Sequence, residues 1–224
     1  MPSARTLAIG DIHGCHDALE TLLDFIDLSD DDLLVTLGDY IDRGPKSNHV
    51  LDTLLELRET HQIVTLKGNH EQMIENAQLS LQECQFWMVN GGYATLDSYE
   101  ANSFDDIPKR HWEFFKTCKP YLETERHIFV HAGARPDKPM DEQTDENYYW
   151  QRFGKTIGHL SEKLLICGHT PQKDGFPATK PGVVCIDTFA FGGGWLTCLD
   201  ADTGQIWQAN EGGETRESEV TLER

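Results

Sequence analysis

Three short apolar runs in the first third of the chain end in the same way. "TLAIG" (6–10), "LLVTLG" (33–38) and "QIVTLKG" (62–68) each stop at a glycine, and acidic, amide or imidazole residues follow at once. Between the first two runs, Leu19, Leu22, Leu23 and Ile26 fall on one helical face; between the second and third, Val50, Leu51, Leu54 and Leu55 do, with Ser47 expected as the helix N-cap. The pattern predicts a βαβαβ start. Strands joined by helical crossovers run parallel, so the chain is expected to be α/β. Ligands of such sheets gather at the carboxyl ends of the strands, which is where the polar residues fall.

Residues 71–120 read as mostly helical, with "PKRHWEFFKTC" (108–118) the clearest segment. Further strands are expected at "RHIFVHAG" (126–133), "LLICGHT" (164–170), "VVCID" (183–187), "WLTCLD" (195–200) and "QIWQ" (205–208). The stretch 134–147, acidic and with prolines, reads as a surface loop. A single catalytic domain is expected over 1–210. Residues 211–224, with five glutamates and few apolar side chains, read as an acidic, flexible tail.

The formal charge of −19 argues against nucleic acid as a partner and against binding at a membrane surface. No apolar run approaches the roughly 18 residues of a membrane span. The N-terminal stretch lacks the pattern of a secretory signal, so the expected location is cytoplasmic. The six cysteines form no CxxC pair, and Cys167, Cys185 and Cys198 sit in apolar runs. They are expected to be reduced core thiols. The histidines His16, His49, His61, His111, His127 and His159 fit no motif, and most are expected at the surface or at strand ends.

The strand ends can be taken together: "GDIHG" (10–14), "GDYIDRG" (38–44), "GNHE" (68–71), "HAG" (131–133) and "CGHT" (167–170). Adjacent parallel strands lie about 4.8 Å apart, so these ends converge and bring Asp11, His13, Asp39, Asn69, His131 and His169 into one region. Any one of these residues alone is ordinary turn chemistry. Five clusters, each ending an apolar strand, are not. Carboxylate, amide and imidazole donors suit Mn, Fe or Zn, with Mn the first expectation. Six donors exceed one open catalytic ion and fit two, with Asp39 central enough to bridge them.

The motifs GDxHG, GDxxDRG and GNHE, with 23 residues between each and the next, resemble the calcineurin-like metallophosphoesterase superfamily. "LKGNHE" with "GDYIDRG" is similar to its serine/threonine protein phosphatase branch, and the short chain with "HAG" is similar to the compact bacterial and phage-type members. The resemblance extends through "HAGARP", "WQR" (150–152), "CGHT" and "CIDTFAFGGGWLTCLD". It implies a sandwich of two mixed β-sheets flanked by helices. It also implies Asp11, His13 and Asp39 on one ion, and Asp39, Asn69, His131 and His169 on the other.

The implied reaction is hydrolysis of a phosphoserine or phosphothreonine ester, or also of phosphotyrosine, in a phosphoprotein or phosphopeptide. A metal-bridging hydroxide attacks phosphorus in line. His70 would act as general acid, Asp42 as its carboxylate partner, and Arg43 and Arg152 as phosphate clamps. The alternative is a symmetrical diadenosine tetraphosphate hydrolase, which shares the GDIHGC opening. Asp42, Arg43 and Glu71 favour the protein phosphatase pattern. A metal-binding interaction module without catalysis is a third reading, disfavoured because no donor and no acid is missing. Oligomeric state is not readable from the sequence.

Overall fold

The computed structural model describes residues 4–223, so the first three residues of the N-terminal stretch lie outside it. The expected start is present: β1 (Thr6–Ile9), α1 (His16–Ile26), β2 (Leu33–Thr36), α2 (Ser47–Thr60) and β3 (Gln62–Thr65). Strand β1 pairs parallel with β2, and β2 with β3. The helical middle holds α3 (Asn69–Ala77), α4 (Leu81–Trp87), α5 (Tyr93–Ser98) and α6 (Lys109–Thr117), with a π turn, Met88–Gly92, between α4 and α5. Then follow β4 (Tyr121–Glu123), β5 (His127–Val130), β6 (Leu164–Cys167), β7 (Ala178–Lys180), β8 (Val183–Cys185), β9 (Leu196–Asp200), β10 (Gln205–Ala209) and β11 (Thr215–Glu219).

These strands form two mixed sheets, β11-β10-β9-β1-β2-β3 and β4-β5-β6-β8-β7. Period-two alternation explains why they pack face to face. In β1, Leu7 and Ile9 turn to the helix side, where Leu19, Leu22, Leu51 and Leu54 meet them. Ala8 turns the other way, into a layer shared with Phe129, Leu164, Ile166 and Val184 of the second sheet. In β6 the outer positions Leu165 and Cys167 join Met140, Tyr148 and Tyr149. Each fully buried leucine, isoleucine or valine among them contributes about 1.5–3 kcal/mol.

Three local expectations are corrected. Ser47 is the first residue of α2 rather than its cap, and its hydroxyl accepts the Asp42 N–H at 3.1 Å. His111 is fully buried; Asp52 (2.8 Å) and the Tyr99 hydroxyl (2.5 Å) flank its two ring nitrogens. The acidic segment is not a free tail: β11 pairs antiparallel with β10, and Val220 and Leu222 pack on the layer between the sheets. The sequence hid this strand because its inward residues are Arg216 and Ser218. Arg216 covers the Trp195 and Phe176 rings at 4.1 and 4.5 Å and donates to Gln208 and Gly175. Arg224 lies outside the described residues.

The 134–147 loop anchors itself inward through Met140 and Gln143, whose side-chain amide bonds the Arg135 backbone on both sides. All six cysteines are free thiols, five of them buried. Among the described residues no helix is long and apolar enough to cross a membrane.

Candidate metal and phosphate site

Five parallel strands bring their carboxyl ends together and deliver the six expected donors. Strand β1 supplies Asp11 and His13, β2 supplies Asp39, β3 leads to Asn69, β5 to His131 and β6 to His169. All six are buried. Asp39 is at the centre: its Oδ2 lies 3.4 Å from His13 Nε2 and its Oδ1 3.5 Å from His131 Nε2. His131 Nε2 and His169 Nδ1 both face Asn69 Oδ1, at 3.0 and 2.9 Å. Asp11 stands beside them, both oxygens accepting the His169 N–H at 3.1 and 3.0 Å.

Backbone partners fix the rings. His13 Nδ1 lies 2.9 Å from the Ile41 carbonyl and His131 Nδ1 2.9 Å from the Leu37 carbonyl. A ring that donates from Nδ1 keeps its Nε2 lone pair free to bind a cation. Burial, and for His13 also the nearby His70, lowers the His13 and His131 pKa values, which favours that neutral form. Burial and His131 likewise bring His169 down to about 3, and its Nε2 has no hydrogen-bond partner among the described residues. Burial alone would raise Asp39, but the four imidazoles around it hold it far below the usual carboxylate range. Imidazoles, the Asp39 carboxylate and the Asn69 amide oxygen drawn together at these distances fit divalent cations.

His70 sits at the first turn of α3. Its Nδ1 is 2.6 Å from Asp42 Oδ2, and its Nε2 lies 3.9 Å from Asp39 Oδ2 with no hydrogen-bond partner among the described residues. Burial pulls its pKa down, but Asp39 and Asp42 outweigh this and raise it above the ordinary histidine value. Asp42 in turn accepts from the Thr95 hydroxyl at 2.6 Å and from Trp87 Nε1. Arg43 and Arg152 are exposed at the rim. The Arg43 guanidinium lies 4.5 Å over the Phe191 ring and 3.2 Å from His13 Nε2; Arg152 Nη1 donates to the His169 carbonyl at 3.3 Å.

Backbone strain marks the same place. Nine described non-glycine residues have positive φ, and five of them are His13, Asp39, Asp42, Arg43 and His169. Such conformations persist where the surroundings over-determine them, and they cluster at functional sites. Gly68 shows how closely the loops pack, since a Cβ there would fall 2.1 Å from Asp39 Oδ1.

Sequence reasoning took Glu71 only as a motif residue and passed over other supporting residues. Glu71 accepts the backbone N–H groups of Asp39, Tyr40 and Gly68 at 2.8, 2.9 and 2.9 Å, so it shapes the loop that presents Asp39. Trp87 and Thr95 hold Asp42 from the helical middle, where no spacing rule reveals them. Asp187 follows β8 as Asp39 follows β2, and the apolar run "VVCI" before it was the available signal.

Known proteins resemble this chain in sequence and in fold. The model of the family described as calcineurin-like phosphoesterase matches residues 4–185. The serine/threonine-protein phosphatase 2 of Salmonella typhimurium is 45% identical over 206 residues, covering 84% of this chain and 89% of that protein. An asymmetrical bis(5'-nucleosyl)-tetraphosphatase of Anoxybacillus flavithermus is 25% identical over 218 residues, covering 85% of this chain and 88% of that protein. Among solved structures, the cold-active protein-tyrosine phosphatase of a Shewanella species superposes with a TM-score of 0.68 over 96% of this chain and 80% of that one, at 17% identity. With the motifs, the two sheets and the strand-end cluster in agreement, the chain belongs to the calcineurin-like phosphoesterase family.

Proposed function

We propose that this protein is a phosphoprotein phosphatase that hydrolyses phosphoserine and phosphothreonine esters. The observation that carries the reading is the buried His70–Asp42 pair at 2.6 Å beside the donor cluster. An alkoxide leaving group is poor, and a positioned imidazolium that gives it a proton lowers the barrier. Asp42 keeps His70 protonated and orients Nε2 toward the centre, while Trp87 and Thr95 keep Asp42 from turning away.

In this reading Asp11, His13 and Asp39 hold one divalent cation, and Asp39, Asn69, His131 and His169 a second. Bound there, the two ions would acidify a water and neutralise charge on the phosphoryl oxygens. Manganese is the ion we expect. Arg43 and Arg152, both at the rim, grip the phosphate in bidentate fashion. The 45% identity to a bacterial serine/threonine-protein phosphatase supports the choice of substrate.

The 25% identity to a dinucleoside tetraphosphatase supports a second reading, hydrolysis of a diadenosine tetraphosphate. Phosphate release from a phosphoserine peptide and breakdown of diadenosine tetraphosphate, measured side by side on manganese-loaded protein, separate the two. The peptide is expected to be turned over faster, with the rate collapsing in His70→Asn. A faster dinucleotide reaction would replace the first reading with the second.

A further inference from the structure

Parallel strand β8 also ends in an acidic residue at the site. Ile186 and then Asp187 follow Cys185, and Asp187 is 1% exposed. Its Oδ1 accepts the Phe189 N–H at 3.1 Å, a turn bond that an asparagine would make equally well. Its Oδ2 is buried and has no hydrogen-bond partner among the described residues. An ionised oxygen in that situation is costly unless a cation compensates it.

The chain leading into Asp187 presses on the chain leading into Asp11: a Cβ on Gly10 would fall 2.4 Å from the Ile186 carbonyl oxygen. The Asp187 carbonyl accepts the Gln172 N–H at 2.8 Å, which ties it to the loop after His169. Asp11 and Asp187 are thus both buried, on chains that press together at Gly10 and Ile186. No described arginine or lysine forms an ion pair with either.

We propose that Asp187 is a further carboxylate of the cation centre, acting through Oδ2 on the ion held by Asp11 and His13. That side of the centre otherwise has fewer protein donors than the side built from Asn69, His131 and His169. The inference rests on the two-cation reading above, and the test separates the two.

The experiment is a titration of metal-stripped protein with Mn2+, followed by calorimetry and by the electron paramagnetic resonance signal of free Mn2+. Asp187→Asn keeps the bond to Phe189, and Asp187→Ser repeats the measurement without the amide. One of the two Mn2+ is expected to bind about tenfold or more weakly in the variants, with the other unchanged. Metal-stripped Asp187→Asn should melt no lower than the unsubstituted protein, because a buried repulsion is removed, and Mn2+ should raise its melting temperature less. Unchanged binding of both ions overturns the proposal. So does a lower melting temperature without metal combined with a full response to Mn2+, which is the signature of a structural residue. Asp39→Asn is the control: if it too binds both ions normally, it is the two-cation reading that fails.

Discussion

Trp87 Nε1 lies 3.0 Å from one oxygen of Asp42 and 2.8 Å from the other. An indole on a helix far along the chain therefore fixes the carboxylate that fixes His70. Trp87→Phe keeps the ring packing and removes the donor. A lost hydrogen bond to a charged acceptor is worth about 1.5 kcal/mol or more, so kcat for a phosphoserine peptide should fall about tenfold, with KM little changed. A rise in KM at constant kcat would place Asp42 in phosphate binding instead.

His70→Asn tests proton delivery through the leaving group. With a phosphoserine peptide kcat should fall by about 10²–10⁴, the usual range for a lost general acid. With p-nitrophenyl phosphate, whose phenolate leaves without a proton, the loss should be far smaller. Equal losses on both substrates would remove the acid assignment.

Gly91 has φ of 118°, and a Cβ there would lie 2.8 Å from Arg43 Cγ. Its carbonyl also accepts the Arg43 N–H at 3.3 Å. Gly91→Ala is strained in this backbone region and displaces Arg43 from the Phe191 face. Expected are a KM about tenfold higher and weaker inhibition by inorganic phosphate. Unaltered phosphate inhibition would show that Arg43 does not hold the phosphate.

Far from the site, Arg5 donates to the buried Asp32 from both Nε (3.0 Å) and Nη2 (2.5 Å), and its own N–H adds a third bond at 2.8 Å. Burial alone would raise Asp32, but Arg5 and the Ser29 N–H hold its pKa well below the usual range. A depressed folded-state value means that the stabilisation is complete above the unfolded pKa near 4 and is lost as pH falls toward the folded one. Asp32→Asn should cost about 2 kcal/mol at pH 7, and its deficit should shrink as pH drops below 4. Urea unfolding at a series of pH values gives the comparison; a deficit independent of pH would rule out the ion pair as its source.

The strands and their polar ends were legible because one signal carried both. An apolar run that stops at a glycine names a buried strand, and the polar residue after it is already at the carboxyl edge of the sheet. Asp11, His13, Asp39, Asn69, His131 and His169 follow that grammar, and the structure gathers them. Trp87, Thr95 and Phe191 do not follow it, because long-range packing brings them in and nothing in their own neighbourhood announces a partner. Positive φ at His13, Asp39, Asp42, Arg43 and His169 was equally hidden, since these residue types only tolerate such a backbone and do not require it. Strand β11 escaped notice for the opposite reason: its inward face uses an arginine stem where the period-two rule looks for an aliphatic side chain.

That strand is the outermost of its sheet, with Thr215, Glu217 and Glu219 turned to solvent. An open sheet edge invites a strand from another molecule, and two copies meeting here would set glutamate against glutamate. The mutual repulsion makes the meeting unprofitable at neutral pH, whatever the crowding. Charge on the outermost strand thus disfavours, at neutral pH, continuation of the sheet from one molecule into the next.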